Sequence, residues 1–196
     1  MLKIDPKKLT GNWNKGFALD VHSLSSIPVG QSPSGHTLFD TTYTEVGKRI
    51  NQLKYNNIKA GVNELVETAV AFIKEQNWDV DLIVPVAPSV ERKEQPVVLL
   101  ANEIGAALNI PVSTTAIQKV KKTTTLKNIP INQRSEHLAG AYEVLIEEVI
   151  EQRVLLFDDL FDSGATLRTI CDCLRVGQPE KIFVLTMTYT RTGTAG

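Results

Sequence analysis

The sequence predicts an α/β fold, a doubly wound and mostly parallel sheet with an N-terminal cap. Two short, unbroken apolar runs, residues 82–86 of the predicted strand 81–86 and residues 154–157, are typical of strands that are buried on both faces. Residues 61–76 and 96–108 carry apolar side chains at the spacing of amphipathic helices. Because such alternation of strands and helices indicates a parallel sheet with helices on its faces, we expect ligands to bind beyond the carboxyl ends of the strands.

Composition and charge favour one ordinary globular domain. The chain has 196 residues, 42% of them hydrophobic, and 21 basic residues nearly balance 22 acidic ones, for a net charge of −1. This balance argues against a generally basic nucleic-acid binder. No apolar run approaches the roughly 18 residues of a membrane span, and the N-terminus lacks the apolar core of a secretory signal. The two cysteines, Cys171 and Cys173, form no disulfide framework, so we expect a cytoplasmic protein with no membrane partner.

The elements follow one another along the chain. Residues 1–44, rich in Gly, Ser, Pro and Thr, are expected to form an irregular or β-rich cap on a domain that spans residues 45–196. Thr44 is a candidate N-cap for a first helix. The predicted elements are helices at 45–54, 61–76, 96–108 and 167–176, and strands at 81–86, 110–117, 140–145, 154–157 and 181–187.

The strongest chemical signal is the segment 154–166, where a buried strand ends in two adjacent acids, Asp158 and Asp159. Asp162, Ser163, Gly164, Ala165 and Thr166 follow as a small-residue loop that opens a helix. Such a loop offers free backbone N–H groups and two hydroxyls to a phosphate. The acids would repel that phosphate, but they suit the vicinal hydroxyls of a sugar. A plain strand-to-helix turn is the alternative, and the two adjacent acids favour the sugar-phosphate site.

These residues resemble a known family. Segment 154–166 matches, over all thirteen positions, the phosphoribosyl diphosphate (PRPP) motif of the type I phosphoribosyltransferases. Residues 53–55, 82–86 and 133–142 resemble the ComF-like branch of that family, which is associated with competence operons. Chains of this branch usually begin with a cysteine-rich zinc module, and here no cysteine precedes Cys171. The resemblance implies the type I fold, in which the N-terminal cap is the hood that selects the base.

The resemblance also implies roles for individual residues. Asp158 and Asp159 would hold the ribose hydroxyls, and residues 162–166 would hold the 5-phosphate. The turn of Ala87, Pro88 and Ser89 falls where the family binds pyrophosphate, with Arg92 as its cation. Mg²⁺ is expected as the cofactor, bound mainly through PRPP and water, with Asp158 and Asp159 as the candidate protein ligands.

Asp162 has two open interpretations. Hypoxanthine/guanine phosphoribosyltransferases also have an Asp at this loop position, placed to interact with a purine nitrogen, which makes Asp162 a candidate general base. The alternative is that Asp162 caps the following helix or orients the loop. We favour the second interpretation, because the rest of the chain does not closely resemble a purine enzyme.

A second informative stretch runs from Lys119 to Arg134 and holds five cations and no acid. Such a stretch usually forms a solvated loop. Type I enzymes, however, have a mobile loop here that closes over pyrophosphate, and Lys119 and Arg134 are the candidate loop cations that would neutralise the leaving charge. A nucleic-acid patch is a weaker alternative because interleaved aromatic residues are missing.

The sequence therefore predicts a PRPP-binding phosphoribosyltransferase that acts on a nitrogenous base and releases pyrophosphate. Polar side chains of the cap, among them Asp20, His22, Ser25 and Ser26, are candidates for contact with that base. The rival hypothesis is a non-catalytic PRPP or nucleotide sensor, or an accessory protein of competence and DNA uptake that retains the PRPP site. The expected partners are PRPP and an unidentified base, and the assembly state, a homodimer among the options, stays open.

Overall fold

The structure is a computed structural model that describes residues 1–56, 60–88, 95–121, 129–130 and 133–191. Its elements in chain order are β1 (Lys7–Lys8), β2 (Lys15–Val21), β3 (Ser23–Gln31), β4 (Thr37–Tyr43), α1 (Glu45–Asn56), α2 (Val62–Glu75), β5 (Leu82–Pro85), α3 (Pro96–Leu108), β6 (Ile117–Lys119), α4 (Arg134–His137), β7 (Tyr142–Val144), α5 (Ile146–Val149), β8 (Arg153–Phe161), α6 (Ala165–Val176) and β9 (Lys181–Tyr189).

A five-stranded sheet in the order β1-β2-β9-β8-β5 forms the centre of the molecule. Only the short β1 runs antiparallel; β2, β9, β8 and β5 are parallel to one another. The predicted α/β class with a mostly parallel sheet is therefore confirmed. Because the strands are parallel, their carboxyl ends lie at one edge, which is where such sheets place their ligands.

Helices cover both faces of this sheet, so its strands are buried on both sides. Leu155 and Phe157 of β8 pack into the core beneath α1, α2 and α3, whereas Val154 and Leu156 pack into a second core beneath α6. All four side chains are fully buried, as the unbroken apolar run predicts for a central parallel strand. Within the described ranges, no helix is both long and apolar enough to cross a membrane.

The segment 1–44, assigned to the cap from sequence, divides into two parts. Strands β1 and β2 belong to the central sheet, and β2 pairs in parallel with β9, with Ala18 and Leu19 fully buried. The antiparallel hairpin of β3 and β4 forms a separate ribbon. Several apolar side chains of that ribbon are exposed: Leu24, Ile27, Val29, Leu38 and Phe39. The segment thus contributes two strands to the central sheet as well as the ribbon of β3 and β4.

The strand predicted at 110–117 is wrong over most of its length. Val112 makes one isolated parallel bridge to Ile83, and a regular strand, β6, begins only at Ile117. The hydroxyl of Ser113 accepts hydrogen bonds from the backbone N–H groups of Thr115 and Ala116, which closes a turn in place of a strand. Strand β6 ends at Lys119, the first residue of the cationic stretch, and pairs antiparallel with β7.

Candidate functional site

A cavity of about 760 Å³ lies at the carboxyl edge of the parallel strands. Residues that follow β2, β5, β8 and β9 line it, together with residues of α1, of the β3–β4 hairpin and of the β6–β7 pair. The acids of β8 and the whole loop 162–166 are among the lining residues. The sheet topology therefore brings together the sugar-phosphate motif and the other segments that sequence analysis singled out.

The two acids of β8 have different environments. Asp159 is 5% exposed, and the ammonium of Lys54 on α1 lies 2.9 Å from its Oδ1 and 2.8 Å from its Oδ2. No cation of the described ranges pairs with Asp158 in this way; one of its carboxylate oxygens accepts the backbone N–H of Asp159 at 2.8 Å. Burial and the charge of Asp159 raise the pKa of Asp158 above its usual value. One acid is thus paired with a lysine, whereas burial and the neighbouring charge favour the protonated form of the other.

Lys54 is a residue to which sequence reasoning gave no role, although it stands in the segment 53–55 that carried part of the family resemblance. Its side chain lines the cavity. Burying the Asp159 carboxylate without a partner would be costly, so the lysine is part of the site. The signal available in the sequence was a lysine in the last turn of the helix, within the segment that resembles the family.

The loop 162–166 turns sharply at Gly164, whose φ is +74°. A Cβ at this position would lie 2.8 Å from the ring of Phe161. Glycine is therefore required both by the positive φ and by the close approach of this ring. Helix α6 begins directly after it at Ala165, whose backbone N–H donates a long hydrogen bond of 3.5 Å to Oγ of Ser163. Thr166 and Leu167, the next residues of the first turn, also line the cavity, so this end of the helix can present backbone N–H groups to an anion.

Arg134 is 8% exposed and reaches this loop from α4. Its Nη1 donates to Oδ2 of Asp162 at 2.7 Å and to Oγ of Ser163 at 3.1 Å, and its Nε donates to the carbonyl of Ile129 at 3.0 Å. The family resemblance predicts that this cation closes over pyrophosphate. The structure places it beside the loop that follows β8.

Asp162 makes no helix-capping hydrogen bond; its carboxylate is held by side chains on either side. Oδ2 accepts from Arg134, and Oδ1 accepts from the hydroxyl of Thr190 at 2.8 Å, just after β9. Asp162 is thus fixed between Arg134 and Thr190 on the loop that opens α6.

The predicted pyrophosphate turn is described only in part. Ala87 and Pro88 follow β5 and line the cavity, whereas Ser89 and Arg92 lie outside the described residues. Lys119, at the end of β6, lines the same cavity, and burial lowers its pKa. Two further cations of the 119–134 stretch, Lys122 and Lys127, also lie outside the described residues.

Polar and aromatic side chains, among them His22, Tyr43 and Asn51, also line the cavity. His22, just past the end of β2, makes an edge contact with the ring of Tyr43, their centroids 5.4 Å apart. The hydroxyl of Tyr43 accepts a hydrogen bond from Asn51 at 3.1 Å. Near the acids, Tyr142 of β7 also lines the cavity, and burial with the charge of Asp158 raises its pKa to about 12. Tyr142 is therefore a neutral hydroxyl at physiological pH.

Comparisons with known proteins give a family match and a partial sequence match. A family model described as a phosphoribosyl transferase domain matches residues 54–195. Competence protein F of Haemophilus influenzae is 31% identical over 88 residues, which are 44% of this chain and 38% of that protein's length.

Two adenine phosphoribosyltransferases are among the solved structures that resemble the fold. Adenine phosphoribosyl transferase from Trypanosoma brucei, solved with AMP, pyrophosphate and ribose-5-phosphate, has a TM-score of 0.53 at 15% identity over 93% of this chain and 73% of its own. The enzyme from Giardia lamblia complexed with 9-deazaadenine has a TM-score of 0.52 at 14% identity, over 86% and 82% of the two chains.

Proposed function

The chain belongs to the phosphoribosyl transferase domain family, and from this premise we propose that it is a phosphoribosyltransferase that uses PRPP. It would pass the 5-phosphoribosyl group to a nitrogen of an acceptor base and release pyrophosphate. The observation that carries the proposal is the end of β8, where two adjacent carboxylates line the cavity directly before the loop that opens α6. Hydroxyl donors suit the former and a phosphate suits the latter.

In this proposal residues 162–166 bind the 5-phosphate. The backbone N–H groups at the start of α6 and the hydroxyls of Ser163 and Thr166 would donate to its oxygens, since both side chains line the cavity. Arg134, already 3.1 Å from Oγ of Ser163, would add a charge-assisted hydrogen bond. Asp162 would keep that guanidinium in position from the far side of the loop.

Asp158 and Asp159 would bind the two ribose hydroxyls. Asp159 is fixed by Lys54, which orients its carboxylate before the ligand arrives. Two carboxylates also suit Mg²⁺, a hard cation that is usually held by one or two protein carboxylates together with substrate phosphates and water. Bound there, the ion would neutralise charge on the pyrophosphate. Asp158, which has no ammonium partner among the described side chains, is the better placed protein ligand.

The leaving-group end of the site lies at β5. Ala87 and Pro88, and with them the undescribed Ser89 and Arg92, would hold pyrophosphate, while Lys119 would approach from β6. Cations at this end would stabilise the negative charge that develops as the bond to the sugar breaks. With both ends of PRPP held and the ribose oriented by two acids, positioning supplies most of the catalysis, through an oxocarbenium-like transition state. The reaction would take place in the cytoplasm, a compartment that suits two unpaired thiols.

The alternative is a sensor or a competence-associated accessory protein that binds PRPP without turning it over, and the partial match to Competence protein F favours it. Incubation with PRPP, Mg²⁺ and a panel of bases, followed by measurement of pyrophosphate, separates the two. We expect release that depends on one base or one class of bases. Measurable PRPP binding without pyrophosphate release for any base would contradict the transferase proposal and favour the sensor.

A further inference from the structure

The two ring nitrogens of His22 differ in their hydrogen bonding. Nδ1 lies 3.1 Å from Oγ1 of Thr188, and that hydroxyl donates its own proton to the backbone carbonyl of Asp159 at 3.0 Å. Because a threonine hydroxyl has one proton, Thr188 accepts at its contact with His22, and Nδ1 is the donor. Neutral His22 therefore carries its proton on Nδ1. Among the residues that the structure describes, Nε2 has no hydrogen-bond partner.

The position of His22 relative to the other parts of the site follows from the strand order. In the series β2-β9-β8-β5, β5 lies on one side of β8 and β2 on the other. In the proposed function the ribose lies at the end of β8 and pyrophosphate at the end of β5. His22, directly after β2, lines the cavity on the side away from pyrophosphate. A nucleophile that displaces pyrophosphate in line would approach from this side.

The surroundings of His22 keep its imidazole neutral. The groups that face it are Lys54 of α1, Asp159 of β8 and the ring of Tyr43 on β4. Burial, and after it the charge of Lys54, lower the pKa of His22 below its usual value, while Asp159 acts in the opposite direction with less effect. An unprotonated imidazole nitrogen at neutral pH is a competent proton acceptor.

We propose that His22 is a catalytic residue whose Nε2 takes the proton from the nitrogen of the acceptor base. The inference rests on the proposed function and specifies its acceptor. The bond from that nitrogen to the anomeric carbon forms while the carbon–oxygen bond to pyrophosphate breaks, and its electron pair leaves with pyrophosphate. The N–H proton moves to Nε2, and the resulting imidazolium returns it to solvent after product release. The preferred acceptor is thus a heteroaromatic base with an N–H to lose, not a pyridine-type base.

The variant His22→Asn tests this step. An Asn side chain places its amide nitrogen near the position of Nδ1, so it keeps the hydrogen bond to Thr188 and removes Nε2. We expect kcat with adenine, hypoxanthine or uracil to fall by about 10² to 10⁴, the usual contribution of a positioned base. We expect the rate of the unaltered protein to fall at low pH, where His22 becomes protonated. This fall should be missing in His22→Asn. PRPP binding should persist, and nicotinate, which reacts through a nitrogen without a proton, should show no dependence on His22.

A matched control is His36→Asn, since His36 is exposed between β3 and β4 and outside the cavity; it should behave as the unaltered protein does. An unchanged kcat and an unchanged acid limb in His22→Asn would overturn the His22 proposal and leave phosphoribosyl transfer standing. If the unaltered protein releases no pyrophosphate with any of these bases, the proposed function fails and this step with it. Should His22→Asn fail to fold, ¹⁵N NMR of the unaltered protein decides, because a proton on Nε2 near neutral pH contradicts the proposal.

Discussion

Lys54 and Asp159 lie 105 residues apart in the chain and form a bidentate ion pair at the base of the site. The side chains are 19% and 7% exposed, so the pair is largely withdrawn from water. A buried carboxylate needs a partner of this kind, and here the partner comes from the first helix after the hairpin. The contact ties α1 to β8 and presents Asp159 to the cavity in one fixed orientation.

Removal of this lysine should destabilise the fold. Lys54→Met leaves the Asp159 charge buried and unpaired, for which we expect the free energy of unfolding to drop by about 3 kcal/mol. Urea denaturation at pH 7 measures the change. The double variant Lys54→Met with Asp159→Asn should recover most of the loss, because no unpaired charge remains. A single variant as stable as the unaltered protein would mean that the pair carries no structural role.

Gly164→Ala should impair both stability and PRPP binding. A residue with a Cβ at positive φ costs about 1–2 kcal/mol, and here the Cβ would also lie 2.8 Å from the ring of Phe161. Gly140→Ala is a matched control, since Gly140 has φ +66° and nothing within 4 Å of the added Cβ. We expect Gly140→Ala to show only the conformational cost, with PRPP binding intact. Equal losses in the two variants would contradict this account of the loop.

The raised pKa of Asp158 makes stability depend on pH. Because the folded state holds this proton more tightly than the unfolded state, the free energy of unfolding falls as pH rises from about 4 through the raised pKa. Asp158→Asn removes this dependence, so the variant should gain stability relative to the unaltered protein between pH 5 and pH 8. Urea midpoints at the two pH values measure the gain.

Asp81 provides the matched control for that experiment. Hydrogen bonds from Arg153 lower the pKa of Asp81 to about 2, so its contribution is fully present above about pH 4 and is lost only as pH falls further. Asp81→Asn should therefore destabilise the protein equally at pH 5 and pH 8. A pH-independent difference for Asp158→Asn as well would show that Asp158 is ionised throughout this range.

Asp162 and Arg134 should act on binding more than on proton transfer. Arg134→Gln removes a charge-assisted hydrogen bond to the phosphate loop, and we expect KM for PRPP to rise by about 10- to 100-fold. Asp162→Asn should raise that KM less, since the amide oxygen can still accept from Arg134 or Thr190. The acid limb of the pH profile should survive in both variants. Its loss in Asp162→Asn would identify Asp162 as the general base instead.

The sequence predicted the elements whose signals are local. The apolar residues 82–85 and 154–157 lie in strands because a parallel strand covered by helices is buried on both faces, and the helices at 61–76 and 96–108 carry an unambiguous period. Strand β2 was missed because Lys15 and Asp20 at its ends and a glycine between them conceal a strand that owes its place to pairing with β9. Such long-range pairing has no local signal.

The site was predictable where one continuous segment carries it. The two acids and the loop 162–166 line the cavity as expected. The partners Lys54, Thr190 and Thr188 come from distant segments, and only the folded chain shows that they meet Asp159, Asp162 and His22. The placement of Arg134 beside Asp162 was likewise invisible, because sequence gives a cation's charge but not which end of a ligand it approaches.

The most direct test of the central claim is calorimetric titration of PRPP with Mg²⁺ into the protein and into Asp158→Asn with Asp159→Asn. We expect binding by the unaltered protein and none by the double variant, because two neutral amides no longer orient the ribose hydroxyls. Circular dichroism and the unfolding midpoint would confirm that the double variant keeps its fold. Equal PRPP affinity in the two proteins would contradict the assignment of the β8 acids to the sugar.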